Sequence, residues 1–547
     1  MTIAIIAAFV IGEYPESVAI ILLFKLGEVI ENKAVEKANK NINSIASLKV
    51  QTANKIIGKE TKVVNVEELK IGDNILIKPG ETVPVDCIIL KGESALDTSK
   101  LTGESNPLYV SEKNEILSGS INENGTLTCK VSKEYKDSAI SKIVDLVYEA
   151  TNNKGKKEEY ITKFSKIYTP VVIIIAILLA ILPALLGANF EIWLYRALVF
   201  LVASCPCSIV ISIPLAYFSC IGAISKKGLL IKGTKHIEDL ANAKVLALDK
   251  TGTITTGKMK VQEFKLMEKT KESNQLKKDK ILQYAYSLEI NSNHPISNAI
   301  IEYAKEKDLT TLEVEGQKEI AGCGIYGKIE GKDVIIGNNK MLEKYNIEFE
   351  KIQENAIIVA VDRKIAAHFI LEENIREGFK ETLSKLYNIG IKKVVMLTGD
   401  SQKEAEKIAK ECGRIDYKAK LMPDGKVEEI NKLKKLGKVI FIGDGINDSP
   451  VLATSDFGIA MGEGTDIAET TADSILISNN ISRLPQIIKT ARKTLRIVNE
   501  NIIISLLAKL IVLILGVIGI APVWLAVAAD TGITLLTVIN SIRIFNK

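Results

Sequence analysis

The sequence predicts a multidomain membrane protein: an α-helical transmembrane bundle that carries a β-rich module and an α/β domain with an α+β insertion. Three observations lead there. Four runs with little or no charge (167–190, 197–225, 501–520 and 523–542) are each long enough to cross a ~30 Å hydrocarbon core at ~1.5 Å per residue. Lys, Glu and Asp crowd the segments between them, so the charged fraction stays at an ordinary 25%. Residues 235–490 alternate apolar strands such as "KVLALD", "KKVVMLTGD" and "KVIFIGDG" with helical patterns such as "SQKEAEKIAKECG", the signature of a parallel α/β sheet.

The elements follow in order. Residues 1–34 read as a transmembrane hairpin whose first span is truncated, since "MTIAIIAAFVI" is too short to cross; a secretory signal would need a basic flank and a small-residue cleavage site. Residues 35–155 hold the β-rich module with linking helices, its strands separated by "IGD", "KPGE" and "NENG" turns. A transmembrane pair with a Cys-Pro-Cys motif spans 160–225, and the α/β domain takes 235–257 and 376–490 around an insertion at 258–375. A last transmembrane pair occupies 498–543. Lys-rich segments follow Ser225 and precede Asn501, whereas the links inside each pair are poor in Lys and Arg, so the polar bulk is cytoplasmic.

Composition excludes some classes. The net charge of +5 is spread along the chain, without the basic stripe of a nucleic-acid binder, so lipid is the expected macroscopic partner and a monomer the expected state. The seven cysteines make no disulfide framework, and the one closely spaced pair is Cys205 and Cys207.

Three strands of the α/β block end in aspartates: Asp249 in "LALDKTGTIT", Asp400 beside Thr398 in "VVMLTGD", and Asp444 with Asp448 in "VIFIGDGINDSP". One such residue is ordinarily a cap or turn former. Three in one sheet, each with Gly close by, suit Mg²⁺, a hard cation that binds carboxylate and phosphate oxygens. Open α/β sheets place their sites at these strand ends. Phosphoryl transfer then needs a nucleophile, for which Asp249 serves, a metal ligand in Asp444, and phosphate holders in Thr398 and in Lys426 of "LMPDGKVEEI". No G-x-x-x-x-G-K-[ST] loop is present, which excludes a P-loop machine.

"LTGES", "DKTGTIT", "MLTGD" and "GDGINDSP", in this order, resemble the P-type ATPases, ion pumps that pass through an aspartyl phosphate. The resemblance covers essentially the whole chain. It implies a β-rich actuator domain, a haloacid dehalogenase-like phosphorylation domain and a nucleotide-binding insertion, with ATP and Mg²⁺ as cofactors. It further implies that Asp249 is phosphorylated, that Asp444 and the Thr251 carbonyl hold Mg²⁺ with Asp448 near it, and that Glu104 positions the hydrolytic water. The insertion contains "LEINSNHPISNAI" and "AGCGIYGKIEG", which resemble the heavy-metal subfamily and imply nucleotide contacts at Glu289, His294, Gly322 and Gly324. Asn293 stands where that subfamily commonly has Glu. Gly322, Gly324 and Gly327 also spell G-x-G-x-x-G, but "KIEGKDVIIG" is a hairpin pattern, which excludes a dinucleotide fingerprint.

A lone transmembrane Cys is ordinarily a small apolar side chain. Pro206 changes the reading, because without its N–H the Val202 carbonyl loses its helical partner and the helix opens beside both thiols. Cys205, Lys509 and Asp530 each lie roughly 10–12 Å into their runs, near mid-membrane. An intramembrane Lys or Asp costs at least ~2.5 kcal/mol and faces a partner; a purely structural Lys509–Asp530 pair is the plain alternative. Two thiolates and a carboxylate carry three negative charges, which a divalent ion and Lys509 balance. Sulfur with one oxygen suits Zn²⁺, Cd²⁺ or Pb²⁺, whereas Cu(I) prefers thioether as well and neither of the last two runs contains Met. "AKLIVLILGVIGIAPVWLAVAADTG" likewise resembles the zinc- and cadmium-exporting group. That likeness implies ligands Cys205, Cys207 and Asp530, Lys509 as counter-ion, and Glu16 on the release route. The reading is an ATP-driven exporter of Zn²⁺, Cd²⁺ or Pb²⁺ in the cell membrane; a membrane-tethered phosphatase of the same fold and a copper-transporting relative are its alternatives.

Overall fold

In the computed structural model the described residues are 50–141 without 59, 99–106 and 139, then 156–545 without 268–273, 293, 321–322, 348–355, 414, 444–447, 463–470 and 478–479, plus scattered positions before 37. More than half of the hairpin expected at 1–34 therefore lies outside them. The chain divides into two compact units, one formed by Met1–Leu248 with Lys380–Lys547 and the other by Asp249–Phe379.

In the first unit, five apolar helices make the bundle: α1 (Lys156–Leu185), α2 (Phe190–Ala203), α3 (Cys207–Ser225), α4 (Leu484–Ile518) and α5 (Val523–Ile542). Together they supply four stretches long and apolar enough to span a membrane, with α2 and α3 forming one broken span. Side chains such as Ile174, Leu178, Leu507 and Ile511 stay exposed, as lipid-facing positions must, while Val199, Ile213, Tyr217 and Val527 pack inward. The ends follow local rules. Asn189 caps α2, its side-chain oxygen accepting from the Glu191 N–H at 2.9 Å, and Gly519, at φ +89, ends α4 in the left-handed conformation that lets Pro522 open α5. Buried amides and hydroxyls lock three helices together: Asn501 donates to the Thr537 carbonyl (3.1 Å) and the Ser541 hydroxyl (2.9 Å), and Ser541 donates to the Ser212 carbonyl (3.0 Å).

Between α1 and the N-terminus lies the β-rich module. Its six-stranded sheet runs Glu60–Asn65, Thr52–Ile57, Asn74–Ile77, Leu127–Val131, Cys87–Lys91, Glu115–Ile116, beside a smaller three-stranded sheet. Alternating residues Ile75, Ile77, Ile89 and Leu127 fill its core.

A seven-stranded sheet completes this unit, in the order Leu229–Ile231, Ser474–Leu476, Phe457–Met461, Lys438–Gly443, Ala243–Asp249, Lys393–Leu397, Asp416–Lys418. Its central strands are buried along almost their whole length, which is why they read as unbroken apolar runs. The predicted helix after Asp400 is Gln402–Cys412, opened by a capping box in which the Ser401 hydroxyl accepts from the Glu404 N–H and the Glu404 carboxylate accepts from the Ser401 N–H.

The second unit is one six-stranded antiparallel sheet with helices Asn274–Glu289 and Pro295–Lys305 packed against it, and the insertion expected at 258–375 falls inside it. "KIEGKDVIIG" forms a hairpin: Gly324–Ile329 pairs with Lys332–Gly337 around Glu330 (φ +52) and Gly331 (φ +75), a turn with both central residues at positive φ.

Candidate functional site

Inside the bundle the chain stops being helical at Ser204 and resumes at Cys207. With no N–H on Pro206, the Val202 carbonyl takes the Cys205 N–H at 3.3 Å instead, and the Pro206 carbonyl accepts from Ile209 and Val210. That leaves the Cys205 carbonyl outside the ladder, and the Lys509 ammonium of α4 donates to it. The same ammonium donates to Asp530 Oδ1 of α5 at 2.7 Å. Cys205, Cys207 and Asp530 bring their ligand atoms within 4.8 Å of one another. One expectation is corrected: the two sulfurs are joined as a disulfide, with Cα atoms 5.5 Å apart. In an intact helix, side chains two positions apart point to nearly opposite sides; the break at Pro206 turns both sulfurs to one side, close enough to bond. A disulfide is no ligand for a soft cation, so only the reduced pair could hold one.

In the seven-stranded sheet, the strand ending at Asp249 lies between the one that leads into Thr398 and the one that leads towards Asp444. Thr398 is buried, its hydroxyl accepting from the Asp400 N–H at 3.1 Å. Lys426, also buried, is held by Asp448 through a 2.7 Å ion pair. Gly443 must lack a side chain, because a Cβ there would stand 2.7 Å from Asp448 Oδ2.

In the second unit, the loop after Asp249 turns at Gly252 (φ +70) and Thr251 is exposed, while Asp249 itself is buried. Arg376 fastens this loop by donating to the carbonyls of Thr253 (3.0 Å) and Gly252 (2.6 Å). Glu373 holds its flanks, pairing with Lys250 at 3.2 Å and accepting from the Thr255 hydroxyl.

The same unit contains a cavity of about 260 Å³ lined by Glu289, His294, Ser297, Cys323, Gly324 and Asn338, among others. Glu289 is buried and accepts from the Ser297 hydroxyl at 2.5 Å; burial pushes its carboxyl up to about 7. His294 caps helix Pro295–Lys305, Nδ1 accepting from the Ile296 N–H at 3.3 Å. Gly324 and Gly337 face each other across the hairpin so closely that a Cβ on Gly324 would meet the Ile336 carbonyl at 2.0 Å.

Comparison with known proteins places these parts. A family profile for the P-type ATPase actuator domain matches residues 47–148, and one for haloacid dehalogenase-like hydrolases matches 243–456. The cadmium, zinc and cobalt-transporting ATPase of Bacillus subtilis (strain 168) is 42% identical over 554 aligned residues, covering 100% of this chain and 78% of that protein. The chain belongs to the P-type ATPases. The zinc-transporting ATPase of Synechocystis sp. is 40% identical, covering 100% and 76%. The crystal structure of a zinc-transporting PIB-type ATPase in its E2.Pi state matches with TM-score 0.65 at 32% identity, covering 100% of this chain and 90% of that one. This P-type ATPase is thus an ATP-hydrolysing, multi-pass membrane transporter with its catalytic domains on the cytoplasmic side.

Among the site residues read from the sequence, Cys205, Cys207, Lys509 and Asp530 come together, as do Lys426 with Asp448, and Glu289 with His294 and Gly324 around the cavity. Glu16, Glu104, Gly322 and Asp444 lie outside the described residues. Sequence reasoning missed Arg376, Glu373, Ser297, Gly337 and Asn338. The "IIGNN" strand end resembles the other glycine-marked ends and could have flagged the last two; Arg376 and Glu373 stand in no recognisable pattern.

Proposed function

We propose that this P-type ATPase exports Zn²⁺, Cd²⁺ or Pb²⁺, with the reduced Cys205 and Cys207 and the Asp530 carboxylate as ligands and Lys509 as built-in counter-ion. The observation that carries this reading is the meeting of two sulfurs, a carboxylate oxygen and an ammonium inside the bundle. Soft sulfur with one oxygen favours a borderline divalent ion over Mg²⁺ or Ca²⁺. When the metal leaves, Lys509 is already bonded to Asp530, so the emptied site is not left with an unpaired charge in a low dielectric. The printed names of the relatives, cadmium, zinc and cobalt transport among them, support the same class of cargo.

In the cycle, a carboxylate oxygen of Asp249 attacks the γ-phosphorus of ATP; the new P–O bond forms as the bond to ADP breaks, and water later cleaves the acyl phosphate. Thr398 and Lys426 hold the phosphoryl oxygens, and Asp448 fixes Lys426 for that task. The donor set fits Mg²⁺: Asp249, Asp444 and the Thr251 carbonyl offer hard oxygens, and the ion, when bound, neutralises phosphate charge. Glu289, His294 and Gly324 receive the adenine end of ATP in the cavity of the second unit, and Glu104 orients the hydrolytic water.

ATP hydrolysis by the full chain tests this, with Zn²⁺, Cd²⁺, Pb²⁺, Co²⁺ and Cu(I) each added in reducing buffer. Divalent soft ions should stimulate, and Cys205→Ala or Asp530→Ala should abolish the stimulation. Stimulation chiefly by Cu(I), or stimulation surviving both substitutions, would sink the proposal.

A further inference from the structure

The long helix α4 makes a connection that neither the motifs nor the mechanism uses. Arg492, 17 residues before Lys509 on the same unbroken helix, points its guanidinium at three backbone carbonyls of the catalytic sheet's framework. Nε donates to the Ala241 carbonyl at 2.9 Å, Nη2 to the Ala243 carbonyl at 3.0 Å, and Nη1 to the Ile389 carbonyl. Ala241 and Ala243 straddle the junction where helix Lys235–Asn242 passes into the strand that ends at Asp249. Ile389 follows helix Phe379–Asn388 and precedes strand Lys393–Leu397, which leads into Thr398. Those two strand roots are themselves joined by the Lys392 N–H, which donates to the Lys244 carbonyl at 2.7 Å. The last carbonyls of a helix lack intrahelical donors and carry partial negative charge, so a cation with several fixed donors suits them.

We propose that Arg492 is a positioning residue that couples the metal site to the catalytic strands. A displacement of Lys509 on metal binding travels ~25 Å down a continuous helix and reaches the roots of both strands at once through one planar fork. Lys would not substitute, since an ammonium cannot hold three carbonyls in that fan. This rests on the metal-site reading above, and the test separates the two.

Three quantities should be measured on the full chain for the parent protein, Arg492→Lys and Arg492→Ala: equilibrium Zn²⁺ binding, phosphoenzyme formed from inorganic phosphate without metal, and Zn²⁺-stimulated phosphoenzyme formed from ATP. Coupling predicts that both variants keep Zn²⁺ binding and inorganic-phosphate labelling within about twofold while Zn²⁺ stimulation falls by about tenfold or more. Full stimulation in Arg492→Ala overturns the proposal. So does parallel loss of all three in Arg492→Ala with complete restoration in Arg492→Lys, which would mean a purely structural cation. Absence of Zn²⁺ binding in the parent protein would instead remove the metal-site reading on which the proposal stands.

Discussion

Lys509 answers two needs with one ammonium: it neutralises Asp530 and occupies the Cys205 carbonyl freed by the helix break. Replacing it with Met keeps the length and removes both interactions. The account predicts that Lys509→Met leaves Asp530 uncompensated in the empty state, so metal is retained more tightly and its release slows. Zn²⁺ release after phosphorylation, followed with a fluorescent chelator, measures this, and an unchanged release rate would count against the counter-ion role. Glu289 carries a second prediction at this scale. Its carboxyl titrates at about 7, so in the folded protein it is a neutral acid below that pH and a carboxylate above it. As the acceptor for an adenine amine it should bind ATP more tightly as pH rises through 7, and Glu289→Gln should flatten that dependence in a fluorescent-nucleotide titration. The stability sign is opposite. The folded carboxyl holds its proton more strongly than the unfolded one, so this residue's contribution declines as pH rises from about 4.5 to about 7.

Among the elements, the broken span decides most. Pro206→Ala supplies the N–H that the Val202 carbonyl would take in an unbroken helix, in place of the Cys205 N–H, and the ladder can close from α2 into α3. Two sulfurs at adjacent odd positions would then splay to different faces. The variant should fold and insert yet lose metal stimulation at least tenfold, a loss of about 1.4 kcal/mol or more; ATPase assays alongside a thermal-stability measurement check both halves. A milder test lies in the catalytic sheet. Ser401→Ala removes half of a capping box and should cost about 1 kcal/mol of stability in denaturant unfolding, with phosphorylation chemistry intact. These elements were legible beforehand for a physical reason. Strands buried on both faces and helices bathed in lipid impose long, simple apolar patterns, and Pro206 announces its missing donor by its identity alone. Contacts made through backbone carbonyls, such as those of Arg376 and Arg492, leave no such trace, because the partner can carry any side chain. The disulfide form of the Cys pair was illegible for a related reason: bond formation depends on where the chain turns, and spacing does not tell that.

Over the whole molecule, the catalytic sheet and the proposed cargo site are linked through α4, whose Arg492 and Lys509 stand ~25 Å apart along the helix. Coupling therefore needs two global states that differ in affinity at both ends, and the reciprocity is thermodynamic: if metal favours phosphorylation of Asp249, phosphorylation must alter metal affinity by the same factor. Asp249→Asn should abolish the acid-stable, hydroxylamine-sensitive phosphoenzyme and, with it, ATP-driven uptake into inverted vesicles, while leaving equilibrium Zn²⁺ binding in place. The order of elements along the chain was readable because the three aspartate motifs mark strand ends of one sheet and "LTGES" falls in the β-rich segment. The distribution of residues between the two compact units was not, since the boundary at Leu248 and Asp249 falls inside a single strand.

The most direct measurement is X-ray absorption at the zinc edge on the reduced, Zn²⁺-loaded full chain, with Cys205→Ala as the paired sample. The account predicts two sulfur neighbours at about 2.3 Å together with oxygen at about 2.0–2.2 Å, falling to one sulfur or to no bound metal in the variant. A shell made of nitrogen and oxygen only, or one that the substitution leaves unchanged, would contradict it.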